Sequence, residues 1–373
     1  MSGNSRLHRL SALGQSVWID FLSRDAIRKG GLRSLIADDA VVGATSNPTI
    51  FQKAMTAGDG EYDDQLRELG SQGVERAFWA LAQEDVGEAC DVFRPVWDGG
   101  LGRDGYVSIE VDPRLAYDTL ATYNEAIRLH EQIDRPNLLV KIPATKPGLA
   151  AIEDATAKGR SINITLIFSL RRYEEVAESY IRGLERLVAD GGDPRKVTSV
   201  ASFFVSRIDT EADRRLDELG AAGGGAADAL KGKLAVANAK LAYSRYQHIF
   251  AGPRWEYLAG KGAKPQRVLW ASTSTKNPAY PDTLYVDDLI GPDTINTMPQ
   301  ETVRAFQDHG KPRSTLTDGL SEAHAVFEKL AAAGVDYDDV TDTLEREGVE
   351  KFEASFRELL DSLEAKLGAL AAA

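Results

Sequence analysis

The chain has 373 residues, 43% hydrophobic and 27% charged, the proportions of a soluble globular protein with a sizeable core, which exclude disordered and membrane classes. A formal net charge of -13 excludes nucleic acid as the main partner, because backbone binding needs a basic face; a small phosphate ligand would need a local cationic pocket. Cys90 is the single cysteine, and no apolar stretch reaches the ~18 residues of a membrane helix, so no intrachain disulfide and a cytoplasmic location are expected.

In chain order, short apolar runs recur between helix-length amphipathic segments. They are Ser16–Asp20, Val41–Thr45, Tyr106–Val111, Leu138–Ile142, Ser161–Ile167, Val197–Phe204, Arg267–Ala271 and Asp293–Met298. Most are apolar on both faces, as parallel strands covered by helices must be. Eight such strands alternating with helices predict a closed (β/α)8 TIM barrel with extra helices, over the whole chain as one domain. Thr283–Leu289 competes with the last run for the eighth strand, although Tyr285, Leu289 and Ile290 also suit one helix face.

Two connections are long for simple barrel units. Residues 51–105 contain at least two helical patterns, Glu75–Leu81 and Asp85–Phe93, and residues 210–265 contain the glycine run 220–225 before a helix expected over Ala227–Phe250. That glycine run is not a phosphate loop, because it lies between helices and lacks the following Gly-Lys-Ser/Thr. Near the end, Val349, Phe352, Phe356, Leu359, Leu360, Leu363 and Leu367 recur at helical spacing and predict a helix packed on the barrel.

Catalytic groups of such barrels gather at the carboxyl ends of the strands. Asp20, Thr45 with Asn47, Glu110, Lys141, Asn163 with Thr165, Ser202 with Arg207, and Ser272 with Lys276 stand at or just after successive strand ends. A single polar residue there is unremarkable, but seven such positions in succession point to a site. Lys141 is the most telling, since Leu138-Leu139-Val140-Lys141-Ile142-Pro143 places an ammonium inside an apolar strand. Desolvation lowers an amine's pKa; a fall from about 10.4 toward ~7 would raise the neutral fraction near neutral pH from about a thousandth to about half. The neutral amine can attack a ketone to form an iminium, which draws electrons from the adjacent carbon-carbon bond and makes its cleavage feasible. Glu110 or Asp20 could carry the accompanying protons, Asn47 and Asn163 could bind hydroxyls, Thr165 could hold a water, and Arg207 with Ser272 and Lys276 could meet an anion. Metal-dependent cleavage would want clustered histidines, whereas His8, His130, His248, His309 and His324 are scattered, so no metal is expected, and no dinucleotide fingerprint is present.

The ordered motifs Ser16-Val-Trp-Ile-Asp20, Gly43-Ala-Thr-Ser-Asn-Pro-Thr49, Val107-Ser-Ile-Glu-Val-Asp-Pro-Arg-Leu115, Leu139-Val-Lys-Ile-Pro143, Ile162-Asn-Ile-Thr-Leu-Ile-Phe168 and Ala201-Ser-Phe-Phe-Val-Ser-Arg207 resemble transaldolase, in its longer bacterial form. The resemblance covers nearly the whole chain. It implies a Schiff-base enzyme of the pentose phosphate pathway, without cofactor, that moves a dihydroxyacetone unit from sedoheptulose 7-phosphate to glyceraldehyde 3-phosphate, giving erythrose 4-phosphate and fructose 6-phosphate. By resemblance Lys141 is the Schiff-base lysine, Glu110 works through a water near Thr165, and Asp20 takes the proton of the cleaved hydroxyl. Asn47 and Asn163 would position substrate hydroxyls, Thr45 and Ser202 match further pocket positions, and Arg207 matches the phosphate-binding arginine. After strand seven the chain departs from shorter transaldolases, with Ser274 where an arginine stands and Lys276 as its candidate substitute. Related fructose 6-phosphate aldolases are the alternative, but they typically lack the glutamate and use a tyrosine hydroxyl, whereas this chain has Glu110 and Phe204. A silent sugar-phosphate sensor would have no need to keep Lys141, Glu110 and Asp20 together. The expected partners are sugar phosphates, with neither nucleic acid nor membrane, and the state is a monomer or homodimer.

Overall fold

Eight parallel strands close into a barrel in sequence order: β1 (Gln15–Ile19), β2 (Val41–Ala44), β3 (Tyr106–Glu110), β4 (Leu138–Pro143), β5 (Ile162–Ile167), β6 (Ser199–Phe204), β7 (Arg267–Ala271) and β8 (Thr294–Met298). The computed structural model describes residues 5–57, 60–220 and 228–372. The expected (β/α)8 barrel is therefore present, with strand ends within two residues of their sequence assignments. Thr283–Leu289 is not a strand, because Leu284–Asp287 forms one helical turn that buries Tyr285 and Val286.

Strands β3 to β8 are buried along their whole length, as helices cover one face while side chains fill the barrel from the other. Alternation sends Ser16 and Trp18 of β1, and Asp20 just after it, to the same side. Trp18 fills so much of that space that a Cβ at Gly43 would lie 2.5 Å from its ring, and only glycine lets β2 pass the indole. At the amino-terminal end, Arg267 of β7 donates to Ser16 Oγ at 2.9 Å and to Asp104 at 2.8 Å. Asp104 also accepts from Ser16 and from the Trp18 indole, so a buried, hydrogen-bonded plug seals this end.

Segment 51–105 carries most of helix Pro48–Thr56, then Asp63–Gly70 and Val74–Gly99. The patterns Glu75–Leu81 and Asp85–Phe93 belong to one continuous helix. They read as two because Asp85 breaks the apolar stripe, yet it is buried and paired with Arg24 at 2.8 Å and Tyr62 at 2.7 Å. In segment 210–265, residues 221–225 of the glycine run lie outside the described residues. The helix expected from Ala227 starts later, as Leu234–Ile249, after a single tight turn at Asp228–Leu230.

The last helix, Tyr337–Ala372, buries Val349, Phe352, Phe356, Leu359 and Leu363 against the main core, with Leu360 and Leu367 packed beside them. The Phe356 ring lies 5.5 Å from Phe78 and 6.0 Å from Trp79, under the Arg114 guanidinium at 5.1 Å. Lys366 bonds to the Met55 carbonyl at 2.9 Å and to Asp63 at 2.8 Å, and Gln52 reaches Ser362 at 3.3 Å. The helices of segment 51–105 thus form the seat of the last helix. Among the described residues, no helix is long and apolar enough to cross a membrane.

Candidate active site

A cavity of about 340 Å³ opens at the carboxyl ends of the strands. Asp20, Thr45, Asn47, Lys141, Thr165, Ser202, Arg207, Ser272 and Lys276 all line it, so residues spread over 257 positions of sequence come together there. Glu110 and Asn163 do not line it. They lie against its floor, buried in the barrel.

Lys141 projects from β4 with a side chain only 7% exposed, its Nζ 3.5 Å from Glu110 Oε2 and donating to the Ser46 carbonyl at 3.1 Å. The register Glu110↔Lys141 between β3 and β4 puts the two side by side on one face. Neither Glu110 oxygen has a full hydrogen bond, and burial pushes its carboxyl up from the ordinary value, with the Lys141 charge opposing. The Phe352 ring of the last helix approaches the Lys141 ammonium from above, 5.9 Å from centroid to Nζ.

Asp20 follows β1 and accepts from Thr45 Oγ1 at 2.7 Å, while Thr45 shares a second bond of 2.8 Å with Thr297. Burial pushes the Asp20 carboxyl up as well, against the pull of the Thr45 hydrogen bond and the Lys141 charge. Two carboxyls with raised affinity for protons therefore flank one amine, an arrangement suited to proton transfer. Asn47 uses its side-chain oxygen to cap helix Pro48–Thr56 through Ile50 N at 3.0 Å, which leaves its amide nitrogen for the cavity. Asn163 is fully buried, donating to Ser108 at 3.0 Å and accepting from Ser202 at 2.7 Å, so it meets the cavity through the Ser202 hydroxyl.

Thr165 is buried with no partner for its hydroxyl. It precedes Leu166, whose φ of +60° is rare for a branched residue and coincides with a register shift between β5 and β6. Bulges of this kind re-aim side chains beside sites. A Cβ at Gly348 of the last helix would sit 3.0 Å from the Leu166 side chain, so the two elements approach closely at this bulge.

Arg207 stacks its guanidinium on Phe204 at 5.3 Å, and Nη1 is buried without an acceptor. Burial lowers its pKa from the ordinary value, with Glu110 and Glu347 opposing. Ser272, at φ +55°, is held by Ser206 through a 2.9 Å bond between hydroxyls and a 3.0 Å backbone bond, next to Arg207 in the chain. Lys276 stands on the exposed rim with Nζ on Ser274 Oγ at 2.6 Å. The lining also includes Lys53, Thr297, Glu301, Lys351, Phe352 and Ser355, which sequence reasoning did not select. Thr297 lies at a strand end and so was open to the same rule. The others sit on helices, where periodicity gives a face but not its neighbour.

Residues 17–363 match the family described as Transaldolase/Fructose-6-phosphate aldolase. The chain is similar to a protein named transaldolase from Acidothermus cellulolyticus, 56% identical over 356 residues, or 95% of this chain and 94% of that protein. A transaldolase from Frankia alni is 53% identical over 365 residues, 97% of each chain, and one from Mycobacterium marinum is 52% identical over 374 residues, 99% of each. With its fold, motifs and matches in agreement over nearly the full length, the chain belongs to the transaldolase/fructose-6-phosphate aldolase family.

Proposed function

We propose that the chain acts as a transaldolase, carrying a dihydroxyacetone unit from sedoheptulose 7-phosphate to glyceraldehyde 3-phosphate on Lys141, in the non-oxidative pentose phosphate pathway. The observation that carries this reading is the Lys141 amine, buried 3.5 Å from Glu110 in a cavity that also holds Asp20 and Arg207. Lys141 passes a proton to Glu110 and attacks the ketone carbon, and loss of water leaves an iminium. The C3–C4 bond then breaks toward the iminium nitrogen while Asp20 takes the C4 hydroxyl proton, releasing an aldehyde and leaving an enamine. Addition to the acceptor aldehyde reverses these steps, and Glu110, through a water held at Thr165, assists hydrolysis. Asn47 and Ser202, the latter set by Asn163, bind substrate hydroxyls, Thr45 orients Asp20, and Arg207 with Ser272 and Lys276 meets the phosphate.

The test is incubation with fructose 6-phosphate, reduction with borohydride, and peptide mass spectrometry. A dihydroxyacetone-sized adduct on Lys141 is expected; an adduct on another lysine, or none, removes the mechanism. Turnover of fructose 6-phosphate that ignores added acceptor would instead identify a simple aldolase.

A further inference from the structure

We propose that Lys351 of the last helix is a phosphate-binding residue that completes the anion end of the cavity with Arg207, exchanging its ion pair with Glu347 for the phosphate when substrate binds. This inference rests on the sugar-phosphate reading above. In a chain with a net charge of -13, the cavity is lined by Lys53, Lys141, Arg207, Lys276 and Lys351, against the carboxylates of Asp20 and Glu301. Lys141 is committed to the reaction. Arg207 brings one guanidinium, fixed on Phe204 and with a buried N–H lacking an acceptor, to meet an anion of charge near two.

The loop after β7 adds the Ser272 hydroxyl and a single cation, Lys276, to Arg207. Ser274 carries no charge, and the Lys276 ammonium is turned onto it at the exposed rim. Lys351 lines the same cavity from the last helix, whose register over the site is fixed by the next residue, Phe352, above the Lys141 ammonium, and by Ser355, which accepts from Thr49 at 3.2 Å. Its Nζ rests 2.8 Å from Glu347 Oε2. The Glu347 charge also favours the charged form of Arg207, against the burial that lowers its pKa. An exposed pair spaced i,i+4 contributes little, and a dianion reaching both cations displaces it readily.

The experiment compares fructose 6-phosphate with fructose as donor in Lys351→Met. KM for the phosphorylated donor is expected to rise about tenfold with kcat nearly kept, the size of one lost charge-assisted contact, while kinetics with fructose stay unchanged. Lys351→Arg restores the low KM, Glu347→Gln tightens inhibition by inorganic phosphate, and Lys276→Met has the smaller effect. Lys351 is 59% exposed, so the substitution leaves folding intact. An unchanged KM for fructose 6-phosphate, or equal losses with both donors, overturns the assignment. Absence of a trapped Lys141 adduct in the unaltered protein overturns the sugar-phosphate reading with it, whereas a trapped adduct beside an unaltered KM removes only the role of Lys351.

Discussion

In the proposed mechanism Lys141 and Glu110 divide one task, because the amine must give up a proton before it can attack and Glu110 lies 3.5 Å away. Lys141→Ala is expected to fold and bind ligand yet lose turnover by many orders, while Glu110→Gln slows it by roughly 10² to 10⁴, the usual range for general acid-base catalysis. Burial raises both Glu110 and Asp20, so the acid limb of the rate profile is expected above the ordinary carboxyl range, and Glu110→Gln should remove one of its two ionisations. Near-normal activity in either variant would sink these roles. At this scale the strand-end rule made Asp20, Thr45, Lys141 and Ser202 legible, because strand position alone fixes where such side chains point. The fully engaged amide of Asn163 was not legible, since its Ser108 and Ser202 partners come from other strands.

Helix Ser206–Gly220, which begins beside Arg207, is tied to the segment after β7 by two acid–phenol contacts, Asp209 with Tyr285 at 2.8 Å and Asp213 with Tyr280 at 2.5 Å. Burial pushes the Asp209 carboxyl up to about 6, against its bonds from Ala235 N and Tyr285. The folded chain therefore holds this proton more tightly than the unfolded chain, and the associated stability is present below the unfolded value and lost as pH rises through about 6. At pH 7 the ionised group costs the fold roughly 3 kcal/mol relative to an ordinary carboxyl. Asp209→Asn should thus gain in melting temperature over the parent as pH rises from about 4 to about 7; a pH-independent difference would refute this. Elements were readable where burial was uniform, as in β3 to β7. They were misread where a polar residue was buried with a distant partner, as when Asp85 divided Val74–Gly99 into two patterns.

Across the whole molecule, segment 51–105 and the last helix form a clasp over the mouth of the barrel, held by Phe51, Phe78 and Phe356 inside and by Lys366 with Asp63 outside. The stripe on the last helix was evident from spacing, but its neighbours were not, because contacts across about 280 residues leave no local pattern. Phe356→Ala, which empties a buried ring site, is expected to cost about 3 to 5 kcal/mol in denaturant unfolding and to reduce turnover through the displaced Phe352. Full stability in that variant would mean the clasp is not held there. The plug of Arg267, Asp104, Ser16 and Trp18 has a consequence for traffic: with the far end sealed, whatever enters past the clasp must leave the same way. Donor and acceptor cannot queue from opposite sides, so the first aldehyde must depart before the second arrives. On the proposed mechanism the three-carbon fragment then has no companion to hold it, and a covalent bond to Lys141 would be what keeps it in the room.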